Sequence, residues 1–451
     1  MAMKKVVYSA LFVVVLPALL IVWARAAEPA VAVPVPLPRA VGFGLVIAGA
    51  VLLLAGMIAL WRRGGGLPMN AFPPPRYVAG GVYRWLAHPI YTGFSMLAAG
   101  VAVGMASPSG FWLVTPVVIV GCIALVLGYE RPDLEARFGP GLPPRPAGVL
   151  LRAGGRLLRP VWEPLRRGTE FIANSWREWQ RGGVRLMNHG AYAGAGAFAG
   201  LIVVGALAGS DSTAPMLVTA ASSLIAAGLW AQFIEGSPQL LRPFGYYGGV
   251  LGVAAGAMAA PLYGSSLWLM LGAFSVAGPW IQAAGRLRCL VQGCCHGRPA
   301  SEHVGIRYRH PKSRVCRLSE WRDVPLHPTP LYSILWNCAA GALLAWLWSV
   351  QVPLNLVAGM YLVLNGLGRF VEEAYRGEPQ TVSFAGLRLY QWLATGSVLA
   401  GAALTALDAP PCPVPVWRLG LVVPALAFGG IVWFALGVDF PNSRRRFSRL
   451  V

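Results

Sequence analysis

About twelve apolar runs dominate the chain, most of them long enough to cross the hydrocarbon of a bilayer as a helix. Hydrocarbon offers backbone N–H and C=O groups no water, so runs of this kind must satisfy them internally as helices. The runs fall at 6–22, 40–60, 91–105 and 111–127, then at 191–208, 216–233, 247–263, 267–283, 331–350, 354–367, 389–407 and 419–436. With 56% hydrophobic and only 12% charged residues among 451, an ordinary soluble enzyme is excluded. The expected fold is all-α: a polytopic integral membrane protein of about twelve transmembrane helices in two fused modules. Its first run has flanks that suit a signal peptide, but its apolar core is long for one and reads as a retained anchor.

The spanning pattern lapses after Arg131 and resumes after Asn188, in a stretch rich in Arg, Trp, Pro and Gly. The sequence therefore divides into a membrane domain at 1–140, a basic linker at 141–188, a second membrane domain at 189–440 and a basic tail at 441–451. Arginines interleaved with Leu, Val and Trp in the linker suit one or two interfacial helices, with guanidinium groups among lipid phosphates. Recruitment of a partner is the alternative for this segment. A net charge of +20 spread over loops beside apolar spans points to anionic lipid and not to nucleic acid. Seven cysteines, two of them (Cys122 and Cys338) inside apolar runs, argue against a disulfide framework.

Loop-charge bias places MAMKK, the linker and NSRRRFSRL in the cytoplasm. The same count puts the loop from Gly285 to His327 on the cytoplasmic side as well.

Between the second and third runs lies NAFPPPRYVAGGVYRWLAHPIYTG, and YERPDLEARFG follows the fourth. A histidine, tyrosines and tight Pro and Gly turns meet there at the membrane face. They read either as an interfacial aromatic belt or as contacts for the polar groups of a cofactor. Gly81, Tyr83, Arg84, His88, Pro89, Tyr91 and Gly93, followed by Glu130, Leu134, Phe138 and Gly139, resemble the paired motifs of the isoprenylcysteine carboxyl methyltransferase and phospholipid methyltransferase superfamily. The resemblance covers about 40–140 and implies S-adenosylmethionine at the cytosolic face, with Tyr83, His88, Tyr91 and Glu130 as its binding residues. Ala87 replaces the usual arginine and Arg131 the usual second glutamate.

In the second half, Arg286, Arg369, Glu373 and Arg376 sit at or near the ends of apolar spans, where an ionisable group is expensive unless paired or functional. GRFVEEAYRGEP sets Arg369, Glu373 and Arg376 four and three residues apart, on one helix face. This is either a structural ion pair or a phosphate clamp, since a guanidinium fork matches phosphate oxygens. Three ordered motifs here resemble the prolipoprotein diacylglyceryl transferase family: Gly285, Arg286, Cys289, Gln292, Gly293, Cys294 and Gly297; then His327, Pro328, Leu331 and Tyr332; then Gly366, Gly368, Arg369, Glu373 and Arg376. Gln391 also sits where that family often carries glutamine, and the likeness covers about 190–410.

That resemblance implies transfer of the diacylglyceryl group of phosphatidylglycerol to an acceptor. Arg286, Arg369, Glu373, Tyr247 and Cys294 become the candidate catalytic residues, and Arg286, Gly293, Gly297, His327, Tyr332, Arg369 and Arg376 the phospholipid-binding ones. It also implies a bacterial-type inner membrane and places the signature outside the cell, against the charge count. Three substitutions stand out. The family's essential histidine falls at Tyr247 in GYYGGVLG, and its asparagine and glutamate become Cys289 and Cys294.

Cys289, Cys294, Cys295, His296, His303, His310, Cys316 and His327 could supply metal ligands, but their irregular spacing lacks the paired Cys-x-x-Cys signal and no metal is expected. A reactive thiolate beside Arg286 and Arg288, or small residues packed against a polar lipid pocket, are the other readings. The sequence thus predicts a membrane lipid-modifying transferase, with a lipid or thiol acceptor, fused to a methyltransferase-like module. The competing class is a lipid-binding or lipid-transport protein built from the same modules.

Overall fold

A computed structural model of the chain describes residues 7, 10–66, 73–139, 146–209, 212–235, 244–377 and 382–443, with 146–158 described by backbone alone. MAMKK, most of the basic tail and the start of the linker lie outside the described residues. The chain forms two compact units, Met1–Trp162 and Glu163–Val451. The division falls inside the predicted linker, so that its second part belongs to the C-terminal unit.

The N-terminal unit contains α1 (Leu16–Ala26, entered through a turn at Leu11–Val15), α2 (Arg39–Gly64), α3 (Pro89–Gly104), α4 (Thr115–Leu125) and α5 (Arg131–Phe138). Helices α4 and α5 belong to one continuous helical stretch, Gly110–Phe138. Helices α2 and α3 pack closely because small residues line their seam. A Cβ on Gly49 would fall 2.8 Å from the Gly93 carbonyl oxygen, and one on Gly42 only 2.4 Å from the Gly104 nitrogen. Lipid tails give helices no hydrophobic reason to associate, so such close backbone packing supplies the contact.

Helix α6 (Pro146–Ala173) leads into the C-terminal unit. There follow α7 (Gly190–Ala208), α8 (Thr213–Phe233), α9 (Tyr246–Ala259), α10 (Leu267–Gln292), the short α11 (Arg314–Leu318), α12 (Thr329–Ser349), α13 (Leu354–Tyr375), α14 (Leu389–Thr405) and α15 (Val422–Gly437). Strands are few and short. β1 (Glu178–Arg181), β2 (Val184–Met187) and β5 (Val438–Asp439) form an antiparallel sheet in the order β1-β2-β5, and β3 (Ser383–Phe384) pairs with β4 (Leu387–Arg388). The protein is accordingly an all-α integral membrane protein.

Among the described residues, eight helices are long and apolar enough to cross a membrane, and Leu11–Ala26 and Pro89–Gly104 are shorter apolar helices. The runs predicted at 247–263 and 389–407 form α9 and α14. The linker's amphipathic pattern does form a helix, but its C-terminal part engages protein. Arg166 donates to the Gly305 carbonyl at 3.1 Å, and Glu170 pairs with Arg309 at 2.8 Å.

Two helices run past their apolar stretches. α10 continues from Ala283 to Gln292 and α13 from Leu367 to Tyr375, because their charged ends find partners in each other. α13 packs against α10, α12 and α14, and 78% of its apolar window is buried, the highest share among the candidate spans.

Candidate functional site

The charged ends of α10 and α13 converge on Glu372. Arg286 Nη2 donates to Glu372 Oε2 at 2.9 Å, while Arg286 Nε donates to Ser333 Oγ of α12 at 3.0 Å. Arg369 Nη1 donates to Glu372 Oε1 at 3.0 Å, and Arg376 Nε lies 3.4 Å from the same oxygen. Helical spacing explains the last two, since Glu372 lies three residues after Arg369 and four before Arg376. Glu373 takes the other arm of Arg369, at 3.2 Å from Nη2, and pairs with Arg388 at 3.6 Å. Tyr390, the second residue of α14, covers this group with its ring, 4.8 Å from the Arg369 guanidinium carbon.

Glu373 is 0% exposed, Arg376 3% and Glu372 6%. Desolvation of each buried ion costs several kcal/mol, which is recovered only with good partners. The partners here are too few. Arg286, Arg369, Arg376 and Arg388 face Glu372 and Glu373, and Arg288 on α10 is bonded through Nη1 to the neutral Gln292 at 2.9 Å. The Nε of Arg369, the Nε and Nη2 of Arg288, and the Nε and Nη1 of Arg376 are buried without a hydrogen bond among the described residues. Such a surplus of cationic donors matches an anion.

These donors border a cavity of about 680 Å³ that runs along α10 from Leu271 and Phe274, past Gln282, to Arg286, Arg288 and Cys289. Arg369, Arg376, Tyr246, Tyr361, Tyr390 and Glu235 contribute to its wall, and most of the remaining lining is apolar. A long apolar chamber with a cationic end has the polarity of an anionic phospholipid.

The structure brings Arg286, Arg369, Arg376 and Cys294 together on the cavity wall, with Glu373 behind Arg369. Tyr247 is placed otherwise. Its hydroxyl donates to the Tyr390 backbone carbonyl at 3.4 Å, and its neighbour Tyr246 lines the cavity. Gly293 adopts the left-handed conformation, φ 71°, that ends α10 and turns the chain to the cysteines. Gly297 pairs with Arg376 in an isolated bridge, and its N–H donates to the His327 carbonyl at 3.1 Å. A Cβ at Gly297 would come within 2.4 Å of that oxygen. His327 and Tyr332 bond each other at 3.0 Å and support this backbone without lining the cavity. Gln391 caps α14 at the Arg388 N–H, at 3.1 Å.

Glu372, Arg288, Arg388, Tyr246, Tyr361 and Tyr390 were not singled out as site residues from the sequence. Glu372 was legible, since it obeys the same spacing as Glu373. Arg388 ends β4 and Tyr390 lies in the first turn of α14, elements that only the fold brings to α13.

In the N-terminal unit, His88 immediately precedes α3 and Glu130 ends the turn before α5. His88 Nδ1 lies 3.1 Å from Glu130 Oε1, with both side chains partly open at 29% and 23% exposure. The Tyr91 ring centroid is 6.1 Å from that of His88, whereas Tyr83 is buried. Arg131 turns to Glu135 at 2.9 Å and so stays out of the His88–Glu130 pair. An imidazole beside a carboxylate supplies both a donor and an acceptor, the set needed for the amino and carboxylate groups of a cofactor such as S-adenosylmethionine.

Comparison with known proteins agrees with this division. The chain is 27% identical over 158 residues to phosphatidylglycerol–prolipoprotein diacylglyceryl transferase 2 of Clostridium perfringens, covering 34% of this chain and 59% of that protein. It is 26% identical over 152 residues to the phosphatidylglycerol–prolipoprotein diacylglyceryl transferase of Clostridium tetani (32% and 57%). Against that of Bordetella parapertussis it is 35% identical over 133 residues (29% and 47%). The chain thus spans about half the length of these relatives. Residues 37–141 match the family model described as phospholipid methyltransferase and residues 241–407 the one described as prolipoprotein diacylglyceryl transferase, so two transferase-like regions are fused in one polypeptide.

Proposed function

We propose that the C-terminal unit transfers the diacylglyceryl group of phosphatidylglycerol to an acceptor, displacing glycerol phosphate. The observation that carries this reading is the surplus of buried guanidinium donors at one end of an apolar cavity. Acyl chains would occupy the chamber along α10, and the phosphodiester would take the free N–H groups of Arg288, Arg369 and Arg376. As the ester bond breaks, charge grows on the leaving phosphate, where these donors act most strongly. Glu372 and Glu373 hold the arginines in place. Gly293, Gly297, His327 and Tyr332 shape the backbone around them. Arg286, held by Glu372 and Ser333, positions the end of α10.

For the N-terminal unit we propose S-adenosylmethionine-dependent methyl transfer, with His88, Tyr91 and Glu130 binding the cofactor and Tyr83 supporting them from the core. The cofactor supplies an electrophilic methyl group, and the protein has only to align an acceptor with it. Both activities belong to one integral membrane protein of a bacterial-type inner membrane.

The test is purified full-length protein with phosphatidylglycerol labelled in its headgroup and S-adenosylmethionine labelled in its methyl group. Release of glycerol phosphate together with a diacylglyceryl-bearing product is expected. Binding of phosphatidylglycerol without release, even with lipid and thiol acceptors supplied, would make the protein a lipid binder.

A further inference from the structure

Cys289, Cys294 and Cys295 are separated in sequence by a helix end and a turn, yet their sulfur atoms all lie within 4.8 Å of one another. Cys294 Sγ and Cys295 Sγ are 3.8 Å apart, and none of the three is in a disulfide. Three other residues of the sequence group, His310, Cys316 and His327, are engaged elsewhere. His310 stacks on Trp176, Cys316 donates to the Tyr308 carbonyl, and His327 bonds Tyr332. Spacing along the chain argued against a metal; the left-handed turn at Gly293 folds the three thiols into one cluster.

Zinc–thiolate bonds of about 2.3 Å require sulfurs about 3.8 Å apart in a tetrahedral site. The observed triangle is close to that shape. Three thiolates around one divalent ion leave one surplus negative charge, and Arg376 and Arg286 are within electrostatic reach of Cys295. All three cysteines border the cavity, so the fourth coordination position faces the lipid site, as in zinc centres that keep an open position for substrate.

We propose that Cys289, Cys294 and Cys295 form a three-thiolate zinc site whose open position receives the acceptor, a thiol. The role, though not the site, rests on the transferase reading above. A thiol bound to such an ion gives up its proton at neutral pH, which supplies the nucleophile in a site that Tyr247, the residue aligned with the family's histidine, does not line. The proton passes to solvent. The thiolate sulfur attacks the glyceryl carbon that carries the phosphate ester, a C–S bond forms, and the C–O bond breaks. Its electron pair leaves with glycerol phosphate, which Arg288, Arg369 and Arg376 hold. No oxidant or reductant is required, and the ion keeps its charge.

The test uses the full chain in detergent, with zinc content measured after dialysis and Cd²⁺ titrated while the ultraviolet thiolate-to-metal charge-transfer band is followed. One ion per chain is expected. Cys289→Ser, Cys294→Ser and Cys295→Ser should each weaken Cd²⁺ binding at least tenfold, and Cys316→Ser should not. In the wild-type protein zinc should shield three thiols from alkylation, a readout independent of how the variants fold. Absence of a stoichiometric ion, or a band indifferent to the three substitutions, overturns the site. Glycerol phosphate release undiminished after zinc removal overturns its role while leaving the transferase reading intact. Stoichiometric metal with no release under any acceptor overturns the transferase reading and leaves the site standing.

Discussion

Arg286 Nη2 and Glu372 Oε2 lie 2.9 Å apart across α10 and α13, 86 residues distant in sequence, and this pair ties the two arginine-bearing helix ends together. Glu372 also meets Arg369 and Arg376, so removing its charge takes the carboxylate from Arg286 and Arg376 and leaves Arg369 with Glu373 alone. Loss of one partner of a buried ion pair costs about 3–5 kcal/mol. Glu372→Gln should therefore lower the unfolding temperature in detergent and abolish phosphatidylglycerol turnover. Unchanged melting would show that Glu372 does not organise the cluster.

Arg288 separates phosphate recognition from folding. Among the described residues its one side-chain hydrogen bond, Nη1 to Gln292, is local to α10, and Nε and Nη2 stay unbonded. Arg288→Gln should weaken phosphatidylglycerol binding by roughly tenfold or more, given that hydrogen bonds to charged groups contribute about 1.5–3 kcal/mol. Stability should change little. Vesicle-binding and unfolding measurements on the same preparation check both halves of the expectation.

What was legible beforehand follows from range. Apolar runs report local hydrogen bonding, so the helices could be drawn from the sequence; the extension of α10 to Gln292 and α13 to Tyr375 could not, because those turns are stabilised by partners on the other helix. Arg369, Glu373 and Arg376 were visible through helical spacing. Tyr390, Arg388 and the gathering of Cys289 with Cys294 depend on contacts between helices or on a turn geometry, and no periodicity encodes them. The motif aligns the family's histidine with Tyr247, whereas the rotation of α9 puts Tyr246 on the cavity wall.

Tyr247 accordingly gives a sharp expectation. A 3.4 Å bond to a backbone carbonyl contributes at most about 1 kcal/mol, so Tyr247→Phe should retain turnover within about fivefold. A loss of a hundredfold would return Tyr247 to the role of catalytic base.

His88 and Glu130 test the independence of the two units. His88→Ala removes one member of the 3.1 Å pair and should weaken binding of labelled S-adenosylmethionine by at least tenfold. Phosphatidylglycerol turnover by the C-terminal unit should stay at the wild-type rate. Equal loss of both activities would show that they are coupled.

His189, just before α7, gives the pH dependence. It is fully buried against the Trp176 ring, 4.7 Å between centroids, and both ring nitrogens lack a hydrogen bond. Burial, and then the nearby charges of Arg288 and Arg185, push its pKa well below the ordinary histidine value of 6.5. In the folded protein His189 therefore stays neutral, while in the unfolded chain it takes up a proton below about 6.5. The unfolded state then binds more protons, so stability is fully present above that pH and declines as pH falls, with a slope approaching about 1.4 kcal/mol per unit from this residue. His189→Phe keeps the aromatic packing and removes the titration. Denaturant unfolding at pH 7.5 and pH 5 should show a larger loss for the wild type than for the variant; equal losses would mean that His189 is already protonated in the fold or that its surroundings admit water.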